Sequence, residues 1–114
     1  MHELSIAMSL VQIADEAARK AEATKVTVLF VRIGALSSVA PDALRFSFDL
    51  AAAGTLVEGA RLEIEELPVR VFCEPCGVES DLPNPQLFCC PICQQPTGRL
   101  VQGRELELTS LEAI

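Results

Sequence analysis

Tryptophan and tyrosine are both missing from this chain, and phenylalanine occurs only five times in 114 residues. With 50% of its residues hydrophobic, it can still build a real core, but that core must be aliphatic and rich in alanine. Basic residues are sparse and scattered, 9 Lys and Arg against 16 Asp and Glu, for a net charge of −7. Such a field repels phosphate backbones, and no Lys/Arg cluster offsets it, which excludes a nucleic-acid partner. No apolar run approaches the length that crosses a bilayer, so no membrane role is expected. The fairly apolar first fourteen residues have no basic leader segment and run straight into Asp15 and Glu16, unlike a secretion signal. There is no phosphate-cradling loop, no nucleophile–base set and no carboxylate pair with a histidine, so no enzymatic reaction is expected. A single histidine is present, at position 2.

What the chain does have is cysteine, five residues in all. Four form two pairs, Cys73-Glu74-Pro75-Cys76 and Cys90-Pro91-Ile92-Cys93, with thirteen residues between the pairs. Two tight turns each carrying two thiols, brought together by a short loop, supply the tetrahedral set of a structural zinc site. Pro91 fixes φ in the second turn, and Gly77 after the first tolerates a positive φ. Cys89, next to Cys90, leaves an alternative in which Cys89 pairs with Cys93. Cys90 is preferred because Cys-Pro-x-Cys presents both sulfurs to one ion, leaving Cys89 as a small hydrophobe or spare thiol. A redox use of Cys-x-x-Cys is the competing chemistry, but two facing pairs argue against it. Catalytic zinc is disfavoured because four thiolates leave no position for water. Reduced thiols available to metal point to the cytoplasm.

At this length the chain fits one domain, or one small domain with a metal-stapled insert. Residues 4–22 read as a helix, with Leu4, Met8, Val11, Ala18 and Ala21 at helical spacing and Ile6, Leu10, Ile13 and Ala17 widening the stripe. Met8 reads as core filler. Residues 25–33 are rich in β-branched side chains and read as a strand ended by Gly34. A second helix opens at Pro41 and runs through Leu44 and Phe48 to Gly54. Residues 61–65 alternate as a strand, 69–72 continue extended after a bend at Pro68, and 104–111 form a final strand. The stretch from Cys73 to Gly98 holds Pro75, Pro83, Pro85, Pro91 and Pro96 and reads as loops. The fold expected is α+β: two helices on a three-stranded sheet, with an inserted four-cysteine, zinc-ribbon-like domain. Residues 1–69 with 102–114 would form the α/β part and residues 70–101 the insert.

The histidine at position 2 has specific chemistry available to it. The α-amine of Met1, the backbone nitrogen of His2 and its imidazole can chelate one ion in fused rings, and the backbone nitrogen of Glu3 can complete a planar set. Square-planar nitrogen coordination suits Ni(II) or Cu(II) and disfavours tetrahedral Zn(II).

The start Met1-His2-Glu3-Leu4-Ser5 resembles that of hydrogenase nickel-insertion accessory proteins of the HypA/HybF family. The resemblance extends through residues 31–37, Val-Arg-Ile-Gly-Ala-Leu-Ser, residues 41–49, Pro-Asp-Ala-Leu-Arg-Phe-Ser-Phe-Asp, residues 59–62 and the two cysteine pairs, and so covers essentially the whole chain. It implies a nickel metallochaperone with a nickel domain of two helices and three strands and a separate zinc domain. By resemblance, His2 is the nickel ligand, with Met1 and Glu3 (backbone or side chain) completing the site, and Cys73, Cys76, Cys90 and Cys93 hold zinc. It further implies a hydrogenase large-subunit precursor and an accessory nickel GTPase as partners, and a monomer or homodimer. Where some members carry an acid before the second helix, this chain has Ala40; Asp42 reads instead as a first-turn carboxylate favourable to the helix dipole. The alternative is a zinc-ribbon interaction module that transports no metal.

Overall fold

The computed structural model describes residues 2–83 and 87–114. Met1 and Pro85, both invoked above, lie outside the described residues.

The first helix, α1, spans His2–Lys20. It stops before the expected residue 22 because Glu22 turns left-handed at φ 59°. The amide of Ala23 then bonds to Ala18 O at 2.9 Å and that of Glu22 to Arg19 O at 3.0 Å. This double closure satisfies the last carbonyls and ends the helix without a glycine. The buried face consists of Ala7, Leu10, Val11, Ala14 and Ala18. Met8, expected in the core, is 58% exposed, and Leu4 and Ile13 also face water. Three small alanines, which carry little hydrophobic signal, share the packed face with Leu10 and Val11, and Leu4, Met8 and Ile13 lie off it.

Strand β1 (Val26–Gly34) is apolar on both faces, with Val26, Val28, Leu29, Val31 and Ile33 all buried. Helix α2 (Pro41–Ala52) follows, with Pro at its first turn and Leu44, Phe48 and Ala52 buried at four-residue spacing. Gly54, just past its end, has φ +81°. Strand β2 (Arg61–Leu67) breaks at Pro68, and β3 (Arg70–Cys73) leaves for a different sheet. Strand β6 (Leu106–Ala113) closes the chain.

Among the described residues there are two three-stranded sheets, one in the order β2-β1-β6. Lys25 exchanges backbone bonds with Ile114, and Gly34 N donates to Glu105 O, so β6 runs opposite to β1. Val26 N donates to Leu56 O and Ala35 N to Leu67 O, so β2 runs along β1, as a strand–helix–strand crossover requires. The second sheet is a correction to the loops expected between Cys73 and Gly98. Strands β4 (Val78–Asp81) and β5 (Leu100–Gln102) flank β3 in the order β4-β3-β5. Arg70 pairs with Asp81 and Cys73 with Val78 across β3 and β4, and Arg70 Nε meets Asp81 Oδ1 at 2.8 Å.

The chain divides into two compact units, Met1–Val31 with Val39–Glu65 and Glu107–Ile114, and Arg32–Ser38 with Glu66–Leu106. The second has a small core of Val69, Val71 and Leu82, with Leu36, Phe88 and Leu100 partly buried against it. At Gly34 a Cβ would lie 2.2 Å from the backbone carbon and oxygen of Gly103. Only glycine fits there. Among the described residues no helix is long and apolar enough to cross a membrane.

Candidate metal centre

Two turns of one design carry the paired cysteines. Cys73 ends β3, and the amide of Gly77 closes onto its carbonyl at 2.7 Å with Gly77 at φ +67°. Seventeen residues on, the amide of Gln94 closes onto the carbonyl of Cys90 at 2.8 Å with Gln94 at φ 63°. In both, the residue four past the first cysteine turns left-handed and points two sulfurs inward. Sequence reasoning finds this at Gly77 but misses Gln94, because glutamine gives no hint of a positive φ. The second turn is tied back to the sheet through Thr97, whose Oγ1 donates to Phe72 O at 2.7 Å.

The Sγ atoms of Cys73, Cys76, Cys90 and Cys93 all lie within 4.8 Å of one another. Cys73 and Cys93 sulfurs are 3.5 Å apart, and those of Cys76 and Cys90 are 4.0 Å apart. Tetrahedral zinc with bonds of about 2.3 Å places its sulfurs about 3.8 Å apart, so the donor set fits that ion. The same distances are far beyond the roughly 2.05 Å of a disulfide bond. Cys73 and Cys90 are buried, and Cys76 and Cys93 are partly so. Cys89 is not a member of the group; its amide donates to Leu87 O and it bridges to Pro96.

The four thiols are electrostatically unequal. The Cys90 thiol is lowered to about 7, chiefly by the Cys93 amide, with the Ile92 amide adding its own hydrogen bond to the sulfur at 3.4 Å. Cys76 is pushed up to about 12, first by its hydrogen bond with Cys93 and then by burial. Cys73 receives a stabilising bond from the Cys76 backbone, yet burial and the Cys93 and Cys90 thiols leave it raised overall. A cation entering this group displaces the protons that the raised Cys73 and Cys76 thiols otherwise keep.

His2 belongs to the first unit and the cysteines to the second. It opens α1 with its side chain 58% exposed, Nε2 lying 3.8 Å from Glu3 Oε2. Another neighbour of that carboxylate is remote in sequence: the Ala40 amide donates to Glu3 Oε2 at 3.3 Å. This contact does most to lower the Glu3 carboxyl to about 2. Ala40 is also the N-cap of α2, its carbonyl accepting from Leu44 N at 2.9 Å. Asp42 sits in the first turn of α2, as expected of a carboxylate favoured by the helix dipole.

Residues 1–113 match the family model described as hydrogenase/urease nickel incorporation, metallochaperone, hypA. The chain belongs to the HypA family. It is 54% identical over 112 residues to the hydrogenase maturation factor HypA of Chloroflexus aggregans, covering 98% of each chain. The HypA of Roseiflexus sp. is 56% identical over 112 residues, covering 98% of this chain and 91% of the relative. In three dimensions it resembles the solution structure of the Ni metallochaperone HypA from Helicobacter pylori, with a TM-score of 0.67 at 28% identity. That likeness covers 100% of this chain and 98% of the other. HypA membership makes the chain a maturation factor and not an enzyme, acts in hydrogenase maturation and entails contact with maturation partners. It also makes the four-cysteine group of this HypA chain a metal site.

Proposed function

We propose that the protein carries Ni(II) at its N-terminus and delivers it to the hydrogenase large-subunit precursor, working with an accessory nickel GTPase in the cytoplasm. His2 is the principal nickel ligand, joined by the α-amine of Met1 and backbone nitrogen at Glu3. The observation that carries this reading is the exposed His2 imidazole opening α1 in a chain of the HypA family. An α-helix uses the carbonyls of its first turn, not its amide nitrogens, in its ladder, so coordination through those nitrogens removes no helical bond. An exposed terminal ligand set also suits a carrier, because an incoming ligand can reach the metal and exchange it.

The tetrad of Cys73, Cys76, Cys90 and Cys93 is the zinc site. Zinc bound by four thiolates has a closed coordination sphere and supplies structure, not reactivity. The residues do the rest: β3 fixes Cys73, the Gly77 and Gln94 turns aim the sulfurs, and the Ile92 amide holds the Cys90 sulfur.

Delivery is tested by mixing nickel-loaded protein with the precursor and the GTPase and measuring nickel in the precursor. Filling should exceed that from the same concentration of free nickel, and equal filling would sink the delivery role. A glycine added ahead of Met1 should weaken nickel binding; unchanged affinity removes the amine from the site.

A further inference from the structure

The Glu3 carboxylate spans two elements 37 residues apart in sequence. Oε2 lies 3.8 Å from His2 Nε2 and accepts the Ala40 amide at 3.3 Å. It therefore sits at the N-terminal ends of both α1 and α2, where helix dipoles favour a negative charge. Its side chain is only 13% exposed, against 58% for His2. A carboxylate held between two helix starts is poorly placed to turn toward a metal. It is well placed to hold the His2 turn against the chain entering α2.

Resting on the nickel reading above, we infer that the Glu3 side chain is a positioning residue for the carrier site: its carboxylate latches the His2 turn to the Ala40 amide, and only Glu3 backbone serves as a nickel donor. The latch restricts the range of positions open to the imidazole before metal arrives, so less ordering is left for binding to supply.

The two roles, latch and side-chain ligand, predict opposite responses in Glu3→Gln and Ala40→Pro, with Glu3→Ala as the loss that both share. Glu3→Gln keeps an oxygen that can accept from Ala40 but is a poor metal ligand. Glu3→Ala removes both functions. Ala40→Pro removes only the amide donor, at a residue whose φ of −84° is close to what proline imposes and which already precedes Pro41. The full chain, untagged, is titrated with Ni(II) against a competing chelator, and the d–d absorption of the bound ion is recorded. Loss of a latch of this kind should weaken binding about tenfold in Glu3→Ala and Ala40→Pro. Glu3→Gln should bind nearly as wild type, with the spectrum unchanged throughout. The Ala40 amide resonance of the metal-free protein should shift in Glu3→Ala more than in Glu3→Gln. Equal losses in Glu3→Gln and Glu3→Ala, or wild-type binding by Ala40→Pro, would overturn the latch and leave the carrier reading standing. Undiminished nickel in His2→Ala, run in the same series, would overturn the carrier reading and the latch with it.

Discussion

Stripping the metal from the cysteine group should unfold the second unit while the first keeps its structure. Among the described residues that unit has a small buried hydrophobic cluster, Val69, Val71 and Leu82. At about 1.5–3 kcal/mol for each buried side chain, these three contribute roughly 5–9 kcal/mol, an upper figure because unfolded chains are already partly collapsed. Structural zinc in small domains contributes about 10–16 kcal/mol at neutral pH. Zinc bound there would thus be the largest single stabiliser of this unit. The first unit has Leu29, Val31, Leu44, Phe48 and Ala52 buried and uses no cysteine. Amide hydrogen exchange before and after chelation at pH 7 reads both units at once. Protection should collapse at Gly77, Leu82 and Gln94, whose amides bond to Cys73, Val69 and Cys90. It should persist at Leu44, whose amide bonds to Ala40. Full protection at Gly77, Leu82 and Gln94 after complete metal removal would refute the reasoning.

Other perturbations separate named residues. Cys90→Ser should lose zinc, whereas Cys89→Ser should keep a full equivalent by metal analysis; zinc loss in Cys89→Ser would break the assigned tetrad. Gly34→Ala places a methyl against the Gly103 backbone and should cost about 1–3 kcal/mol or more in denaturant unfolding. Gly98→Ala, with nothing within 4 Å of the new carbon, should stay within about 0.5 kcal/mol of wild type. Asp15 is held below its ordinary carboxylate value, first by Arg19 and then by the Leu56 amide. A lowered folded pKa adds stability above the unfolded value, about 3.9, and that stability is lost as pH falls through the folded one. Asp15→Asn should therefore flatten the acid side of a thermal-melting profile, and an equally steep profile would contradict the assignment.

How much of this was readable in advance depends on whether a signal is local. The tetrad was, because Cys-x-x-Cys fixes two sulfurs on one turn wherever the chain goes. So was the first sheet: β1 carries a long β-branched run, and Pro68 marks the point where β2 gives way to β3. Strands β4 and β5 were not, since four residues such as Val-Glu-Ser-Asp show no alternation before a partner supplies the register. The α1 face is harder to read, because Leu4 and Met8 outweigh Ala7 and Ala14 in a hydrophobic count, while the packed face takes Ala7, Ala14 and Ala18 beside Leu10 and Val11. The bond between Glu3 and Ala40 has no sequence signature, as it joins residues that only the fold brings together.

The central claim is that nickel is carried by His2 and zinc by the cysteines. Its most direct test is elemental analysis of the untagged protein, wild type beside His2→Ala, after exposure to nickel and removal of the excess. Wild type should hold both metals, and His2→Ala should hold zinc alone with an unchanged fold. Nickel retained by His2→Ala at the wild-type level would contradict the account.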